Sequence, residues 1–371
     1  MTETKMTPTQ ADIERCIQKV ATGPEYSKDL SFEEAYSGMK LILGGEADPV
    51  QSGVMLIALR MKRETSEENR GALQAIMDHR IQATTEADEI VDLSDPFNGQ
   101  LRGLTMAPFI APVLAACGIP AITQGVEAVG PKFGITHKNV LAAAGVRVDD
   151  NPQQVAARLA DDNIGWAYLD QSQYCPPLYA LIPLRNKIIK RTVITTIEVA
   201  TKPVCGKRLT HLVTGYVHKA YPPVYTDIAR YAGYDSAAIV RGVEGGLMPS
   251  LRQAMRFYRY TPEREDEFVD IDPLSIGIES ETRTLPLPGG FKSLEDGDAQ
   301  AKSLAIRHAA ELGVAALQDS AGLARDSLVY GSAIVLYHLG RQENLPQAAE
   351  QVRRVIASGD AYDKFNANLN D

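Results

Sequence analysis

The spacing of apolar residues changes at Asp88, and that change constrains the fold more than any other feature of the chain. Upstream, the pattern predicts helices throughout residues 8–82. SFEEAYSGMKLILGG sets Ser31 before Glu33 and Glu34, a cap followed by acids that suit the helix dipole, and it stops on Gly44 and Gly45. DPVQSGVMLIALRMKR continues as a mostly apolar helix, and TSEENRGALQAIMDHR restarts on a cap at Thr65 or Ser66. Short connections between them imply a compact helical subdomain.

Downstream, short β-rich runs alternate with helices: EIVDL, then APFIAPVLAACG, IPAITQG, HKNVLAAAG and IGWAYL. Strands separated by helices of this length imply right-handed βαβ units and a parallel sheet. Residues 176–203 turn helical again, an excursion out of the sheet and back toward the first subdomain. Strands resume at LTHLVTGYV and SAAIVRG, around the helix PPVYTDIARYAG. FVDIDPLSIGIESETRTLPLPGG reads as an irregular β-rich loop, and three helices close the chain from about Asp298 to Asn368. The fold class expected is α/β, with a small N-terminal helical domain (1–87, completed by about 174–204). The larger α/β domain (88–173 and 205–371) holds a central, mainly parallel sheet.

A chain of 371 residues, 44% of them hydrophobic, can bury a full core. No run of 18 apolar residues and no signal core appear, so no membrane partner and a cytoplasmic location are expected. Four scattered cysteines without a CxxC pair, and six histidines without ligand spacing, offer no zinc site. The net charge of −9 argues against a protein coated in basic surface for nucleic acid. Locally the balance reverses: residues 183–221 hold eight Lys or Arg against the single acid Glu198. Lys187, Lys190, Arg191, Lys202, Lys207 and Arg208 are the nucleic-acid candidates, with Tyr174, Tyr179, Tyr216 and Tyr221 close by in sequence as stacking partners. The same run also suits a solvated helix face, and the tyrosines suit a core. SLRQAMRFYRY adds Arg252, Arg256 and Arg259, which extend a positive surface if they fold near a cleft and otherwise belong to an ordinary amphipathic element.

LSFEEAYSGMKLILGGEADPVQSGVMLIALRMKRETSEENRGA and RDSLVYGSAIVLYHLGRQENLPQAAEQVRRVIASGDAYDKF resemble the N- and C-terminal helices of the anthranilate phosphoribosyltransferase family, which shares its fold with pyrimidine nucleoside phosphorylases. The resemblance spans about Leu30 to Phe365 and implies substrates in a cleft between the two domains, commonly in a homodimer. It also implies transfer of phosphoribose from phosphoribosyl pyrophosphate (PRPP), a reaction that fold alone does not carry over.

Three motifs of that family are altered here. Its glycine-rich pyrophosphate turn corresponds to Leu93, Ser94, Asp95, Pro96, Phe97, Asn98 and Gly99. Pro96 has no N–H, Phe97 is bulky and Asp95 would set like charge against a phosphate, which leaves Ser94 and Asn98-Gly99 as the phosphate candidates. A type I turn leading into a helix, with no ligand, suits the same residues. In the second motif Gly125, Lys132 and Gly134 stay in register, whereas Thr123, Gln124, Val126, Glu127, Gly130 and Pro131 replace its cationic and hydroxyl groups. In the third, Leu247 and Met248 stand where an Asp-Glu pair would hold magnesium, and Glu244 lies three residues earlier. Arg185 matches the arginine that faces the anthranilate carboxylate, and it equally suits a salt-bridged helix arginine.

Two readings follow. In the first, the cleft binds a phosphate-bearing ligand or nucleic acid through Ser94, Asn98, Gly99, Gly125, Lys132 and Arg185, with no metal, no cofactor and no assigned catalytic residue. Members of a subfamily resembling these enzymes bind DNA without sequence preference, and the basic segment is its counterpart here. In the second, a working glycosyl or phosphoribosyl transferase uses a rebuilt site, and magnesium then returns as cofactor.

Overall fold

The computed structural model describes residues 9–23, 25–262 and 264–370. The first eight residues, counted above with the helical domain, lie outside them. Helices at Gln10–Val20, Phe32–Leu43, Pro49–Lys62 and Ser66–His79 form the N-terminal bundle. Their starts follow from their caps. The Ser31 hydroxyl accepts from the Glu34 amide while the Glu34 carboxylate accepts from the Ser31 amide at 2.9 Å. Thr65, not Ser66, caps the fourth helix, in the same reciprocal arrangement with Glu68. Such a cap contributes about 1 kcal/mol. Glu68 does more: fully buried, it also accepts from the Leu30 amide at 2.8 Å and pairs with Lys62 at 2.7 Å, tying three segments together.

The strands are β1 (Ala83–Thr84), β2 (Glu89–Ser94), β3 (Ala121–Gly125), β4 (Trp166–Asp170), β5 (Val204–Cys205), β6 (Leu209–Tyr216), β7 (Ser236–Arg241), β8 (Met255–Thr261) and β9 (Arg264–Ile271). Seven form one sheet in the order β4-β3-β2-β6-β7-β8-β9, parallel from β4 to β7 and antiparallel at β8 and β9. The mainly parallel sheet matches expectation. β1 and β5 pair separately, at the two places where the chain crosses between helical bundle and sheet.

Both faces of the sheet are covered, as parallel strands require. Leu212 and Ile239 point into a core shared with Leu56, Leu59 and Ile76 of the bundle. Val213 and Val240 point the other way, into a core shared with Phe109, Tyr330 and Phe365. The excursion at 176–203 breaks into short helices, including Ile182–Ile188 and Val193–Ile197, which pack on the Pro49–Lys62 helix.

Two expectations need correction. The segment beginning FVDI is not irregular at its start, because residues 264–271 are β9, paired in register with β8. Four helices, not three, close the described chain: Ala299–Leu317, Leu323–His338, Leu345–Ala357 and Asp360–Asn370. Gly359, at φ +90°, separates the last two, a conformation glycine takes without a Cβ penalty. The helix Pro152–Ala160, capped by Asn151, had no expectation attached to it. Among the described residues no helix is long and apolar enough to cross a membrane.

Candidate functional site

From β2 the chain builds β3 and β4 on one side and later β6 and β7 on the other. The carboxyl ends of β2 and β6 therefore open a crevice, the place where open α/β sheets bind ligands. Ser94 to Phe97 follow β2 into it, Thr214 to Tyr216 end β6 there, and Arg60, Arg191 and Tyr221 reach it from the bundle side. The guanidinium of Arg60 lies 4.9 Å from the Tyr221 ring centre. The inner crevice has room for only about 50 Å³, water-sized space. It shares Arg191, Val217 and Glu244 with a wider groove of about 870 Å³. That groove is lined by six cations, Arg102, Lys132, Arg191, Arg241, Arg252 and Arg283, against three carboxylates, Glu244, Glu281 and Glu295. Its size suits a nucleotide-scale ligand. Arg102 pairs with Glu295 at 2.7 Å, whereas exposed Arg241, Arg252 and Arg283 have no side-chain partner among the described residues.

The loop after β2 stays irregular from Asp95 to Met106, so no helix begins at the expected turn; the next helical turn is Ala107–Phe109. Its backbone is spent elsewhere. The Gln100 amide donates to the Ile135 carbonyl at 2.9 Å and the Ile135 amide returns a bond at 2.8 Å. Gly99, at φ +75°, lies so close to Gly134 that a Cβ would sit 2.6 Å from the Gly134 carbonyl carbon. Asn98 donates to the Gly130 carbonyl at 2.5 Å and accepts from Arg191 Nε at 3.0 Å. Asn98 and Gly99 thus join two loops. Gly125, at the end of β3, lets the Asp95 carbonyl approach, since a Cβ there would lie 3.2 Å from it. Ser94 alone of these keeps a polar atom free: its buried Oγ has no partner and the residue lines the crevice.

Asp95 lines the crevice with a histidine beside its carboxylate. His137 Nε2 lies 2.8 Å from its carboxylate, and Thr123 Oγ1 is 2.7 Å from His137 Nδ1, all three buried. Burial raises the Asp95 carboxyl above its usual range, with the histidine pulling the other way. Deeper in β2, burial pushes Asp92 up to about 7, although Tyr234 donates to it at 2.6 Å and Gln124 at 2.9 Å.

Glu244 sits in the turn after β7, and its φ of 55° is in the left-handed region. The turn packs backbone to backbone: a Cβ on Gly215 would lie 2.1 Å from the Gly246 carbonyl oxygen. The Glu244 carboxylate accepts from the Arg102 amide at 2.8 Å, from the Leu101 amide at 3.1 Å and from Lys132 Nζ at 3.1 Å. Lys132 lines the groove and is paired there with Glu244. Leu247 and Met248, each 2% exposed, turn into the hydrophobic core.

Arg185 is taken up by a buried ion pair. It is buried, and its two terminal nitrogens meet Glu198 at 2.8 and 2.6 Å, while Gln171 donates to the same carboxylate. The basic segment does not form one surface. Lys187 and Lys190 are exposed, and Arg191 reaches the crevice with its guanidinium partly buried, which lowers its pKa. Lys202, Lys207 and Arg208 lie at the opposite end of the sheet, where β6 begins. There Lys202 donates to the Gly233 carbonyl, Lys207 pairs with Glu86 at 2.9 Å and Arg208 approaches Asp88 at 3.8 Å. The aromatic expectation divides too: Tyr174 is fully buried and Tyr216 nearly so, while Tyr221 lines the crevice. Of the second cluster, Arg252 joins the groove, Arg256 approaches Asp270 at 3.5 Å and Arg259 pairs with Glu267 at 2.7 Å.

Sequence reasoning missed Arg60, Arg102, Arg241, Arg283 and His137. They come from distant parts of the chain and share no spacing, so nothing short of the sheet topology brings them together.

Comparison with known proteins follows the same outline. Residues 14–80 match the helical bundle domain of a glycosyl transferase family, and residues 104–362 match its a/b domain. Anthranilate phosphoribosyltransferase from Rhodopseudomonas palustris (strain BisB18) is 27% identical over 95% of this chain and 96% of its own. The enzyme of that name from Thermus thermophilus superposes with a TM-score of 0.71 at 18% identity, covering 97% of this chain and 99% of its own. The one from Saccharomyces cerevisiae in complex with PRPP and Mg gives 0.75 at 15% identity, covering 98% and 99%.

Proposed function

This chain belongs to the glycosyl transferase family matched through both its helical bundle and its a/b domain, and from that premise we propose that it binds a phosphate-bearing ligand in the basic groove without magnesium-PRPP chemistry. The observation that carries this reading is the surplus of cations around a nucleotide-sized opening at the switch point, three of them without a side-chain partner among the described residues. Cations held in a concave site raise the local concentration of anions and steer them in. The unpartnered Ser94 hydroxyl adds a neutral hydrogen bond deeper in the crevice.

Magnesium does not fit the groups present. Leu247 and Met248 offer no oxygen and are turned into the core. Glu244, three residues earlier in the same turn, already accepts from Lys132 and two amides. No step is therefore routed through a metal. The chain's own groups would hold and orient a phosphate in the groove: Lys132, Arg102, Arg241, Arg252 and Arg283 offset its charge.

A transferase reading has its own support, since the relative from Rhodopseudomonas palustris that aligns over 95% of this chain is named anthranilate phosphoribosyltransferase. Thermal stability with each ligand separates the readings, because a ligand of the native state raises the melting temperature. Pyrophosphate and a single-stranded oligonucleotide are expected to stabilise the protein, more at low salt than at high. Stabilisation by PRPP only when magnesium is present, with none by pyrophosphate alone, would replace this proposal by the transferase. Replacing Lys187, Lys190 and Arg191 together lowers the salt slope if a nucleic-acid strand is the ligand; unchanged affinity and slope leave a small phosphorylated molecule. The homodimer and the division into residues 1–87 with 174–204 and the α/β remainder stay part of the proposal, with sedimentation the test of the dimer.

A further inference from the structure

We propose that the Leu101 and Arg102 amides together with Lys132 form the seat for one phosphate group of the ligand, and that the Glu244 carboxylate fills this seat as an internal stand-in until the ligand displaces it. The inference deepens the proposed phosphate-binding reading and rests on it.

The donors are arranged as an anion receptor. Two consecutive backbone N–H groups point at one carboxylate, at 2.8 Å from Arg102 and 3.1 Å from Leu101, and an ammonium closes the third side at 3.1 Å. Successive amides of this kind make a concavity that binds carboxylate and phosphate oxygens alike. The loop carrying the amides is held from behind by the Gln100–Ile135 pairing and by Leu104–Leu285, so it keeps its shape when the anion leaves. The groove wall around the seat supplies Arg241, Arg252 and Arg283, without side-chain partners among the described residues, which would face the rest of a larger anion.

Glu244 is built to leave. Its backbone sits at φ 55°, a conformation that costs a non-glycine residue energy and persists only where the surroundings enforce it. Gly242, Gly245 and Gly246 flank it, so the turn has neighbours that accept new backbone angles without a Cβ clash. The carboxylate lines both the crevice and the groove, and its departure would join the two into one space. A competing internal anion lowers the apparent affinity by the fraction of molecules in which the seat is taken.

The test is titration calorimetry with inorganic pyrophosphate on the full chain and two variants. Glu244→Gln keeps the shape and removes the charge, and Glu244→Gly removes the side chain while suiting the backbone angle. Both variants are expected to bind pyrophosphate about tenfold more tightly than the parent, and adding Lys132→Ala to either should abolish that gain. Amide resonances of Leu101 and Arg102 in labelled protein should shift on adding pyrophosphate to either Glu244 variant. If the parent binds pyrophosphate and neither variant binds it more tightly, the seat proposal is overturned while the phosphate-binding reading stands. Absence of binding by parent and variants alike would overturn both.

Discussion

The two ends of the parallel sheet treat cations in opposite ways, although both draw on the one basic segment. Where β6 begins, Lys207 meets Glu86, Arg208 approaches Asp88, and His211 Nε2 lies 2.9 Å from Glu89, which also pairs with Arg341. Where β6 ends, about 20 Å away at the usual rise per residue, three arginines of the groove have no side-chain partner among the described residues and a glutamate is held by backbone amides. Charge that is balanced locally has little left for a ligand, and charge left unbalanced around a concave surface is available to an incoming anion. The difference teaches that a count of lysines and arginines along a sequence says little until each is matched with its neighbours.

The largest effect expected concerns Arg185, a cation buried with its acid. Glu198→Ala would strand the Arg185 guanidinium in the interior, at a cost of about 3–5 kcal/mol seen as a lowered melting temperature. A change below about 1 kcal/mol would mean that Arg185 finds solvent and is available to an anion after all.

Next comes a contrast inside a single strand. Glu89 is held below its usual range by His211, whereas three residues on Asp92 is raised to about 7 by burial, which outweighs the Tyr234 and Gln124 hydrogen bonds and the charge of Lys202. A carboxyl raised on folding stabilises the native state fully below its unfolded pKa of 3.8, and that contribution is lost as pH rises through about 7. Asp92→Asn should therefore flatten the pH dependence of stability between about pH 4 and 7, by up to about 4 kcal/mol at 1.36 kcal/mol per unit. Melting curves across that range check it, and an unaltered slope would show that Asp92 is ionised in the folded protein.

The comparison itself is tested by two triple variants. Replacing Arg241, Arg252 and Arg283 by serine should weaken pyrophosphate binding by about a hundredfold, given about 1.5–3 kcal/mol for a hydrogen bond to a charged group and incomplete use of each. Replacing Lys202, Lys207 and Arg208 should change it less than about twofold, because screening weakens distant exposed charge. Equal losses from both would erase the distinction between the ends. The smallest effect is Arg208→Ala, whose exposed, loosely matched pair with Asp88 should contribute no more than about 1 kcal/mol to chemical denaturation.

Much of this was legible beforehand. Ser31 and Thr65 announce their helices because a cap acts through the three residues that follow it. The apolar runs that became β2, β3, β4, β6 and β7 announce a sheet buried on both faces. The site was legible only in part. Lys132 and Ser94 do reach the groove or crevice, but Asn98, Gly99 and Arg185 are absorbed by contacts with Gly130, Gly134 and Glu198. Each of those partners lies 13 or more positions away, beyond the reach of local spacing.

Sequence by itself therefore determined the layers: which segments coil, which extend, and which faces must be buried, since those depend on period and on neighbours a few residues apart. Tertiary structure alone decided the electrostatics of the cleft. It set Lys202 and Arg191 at opposite ends of the sheet, gave Arg185 a buried acid and left Arg283 none, and turned Glu244 onto the amides of a loop some 140 residues earlier. The physical reason is that a charge acts through space on whatever the fold brings within a few ångströms, and the order of the chain does not encode that distance locally.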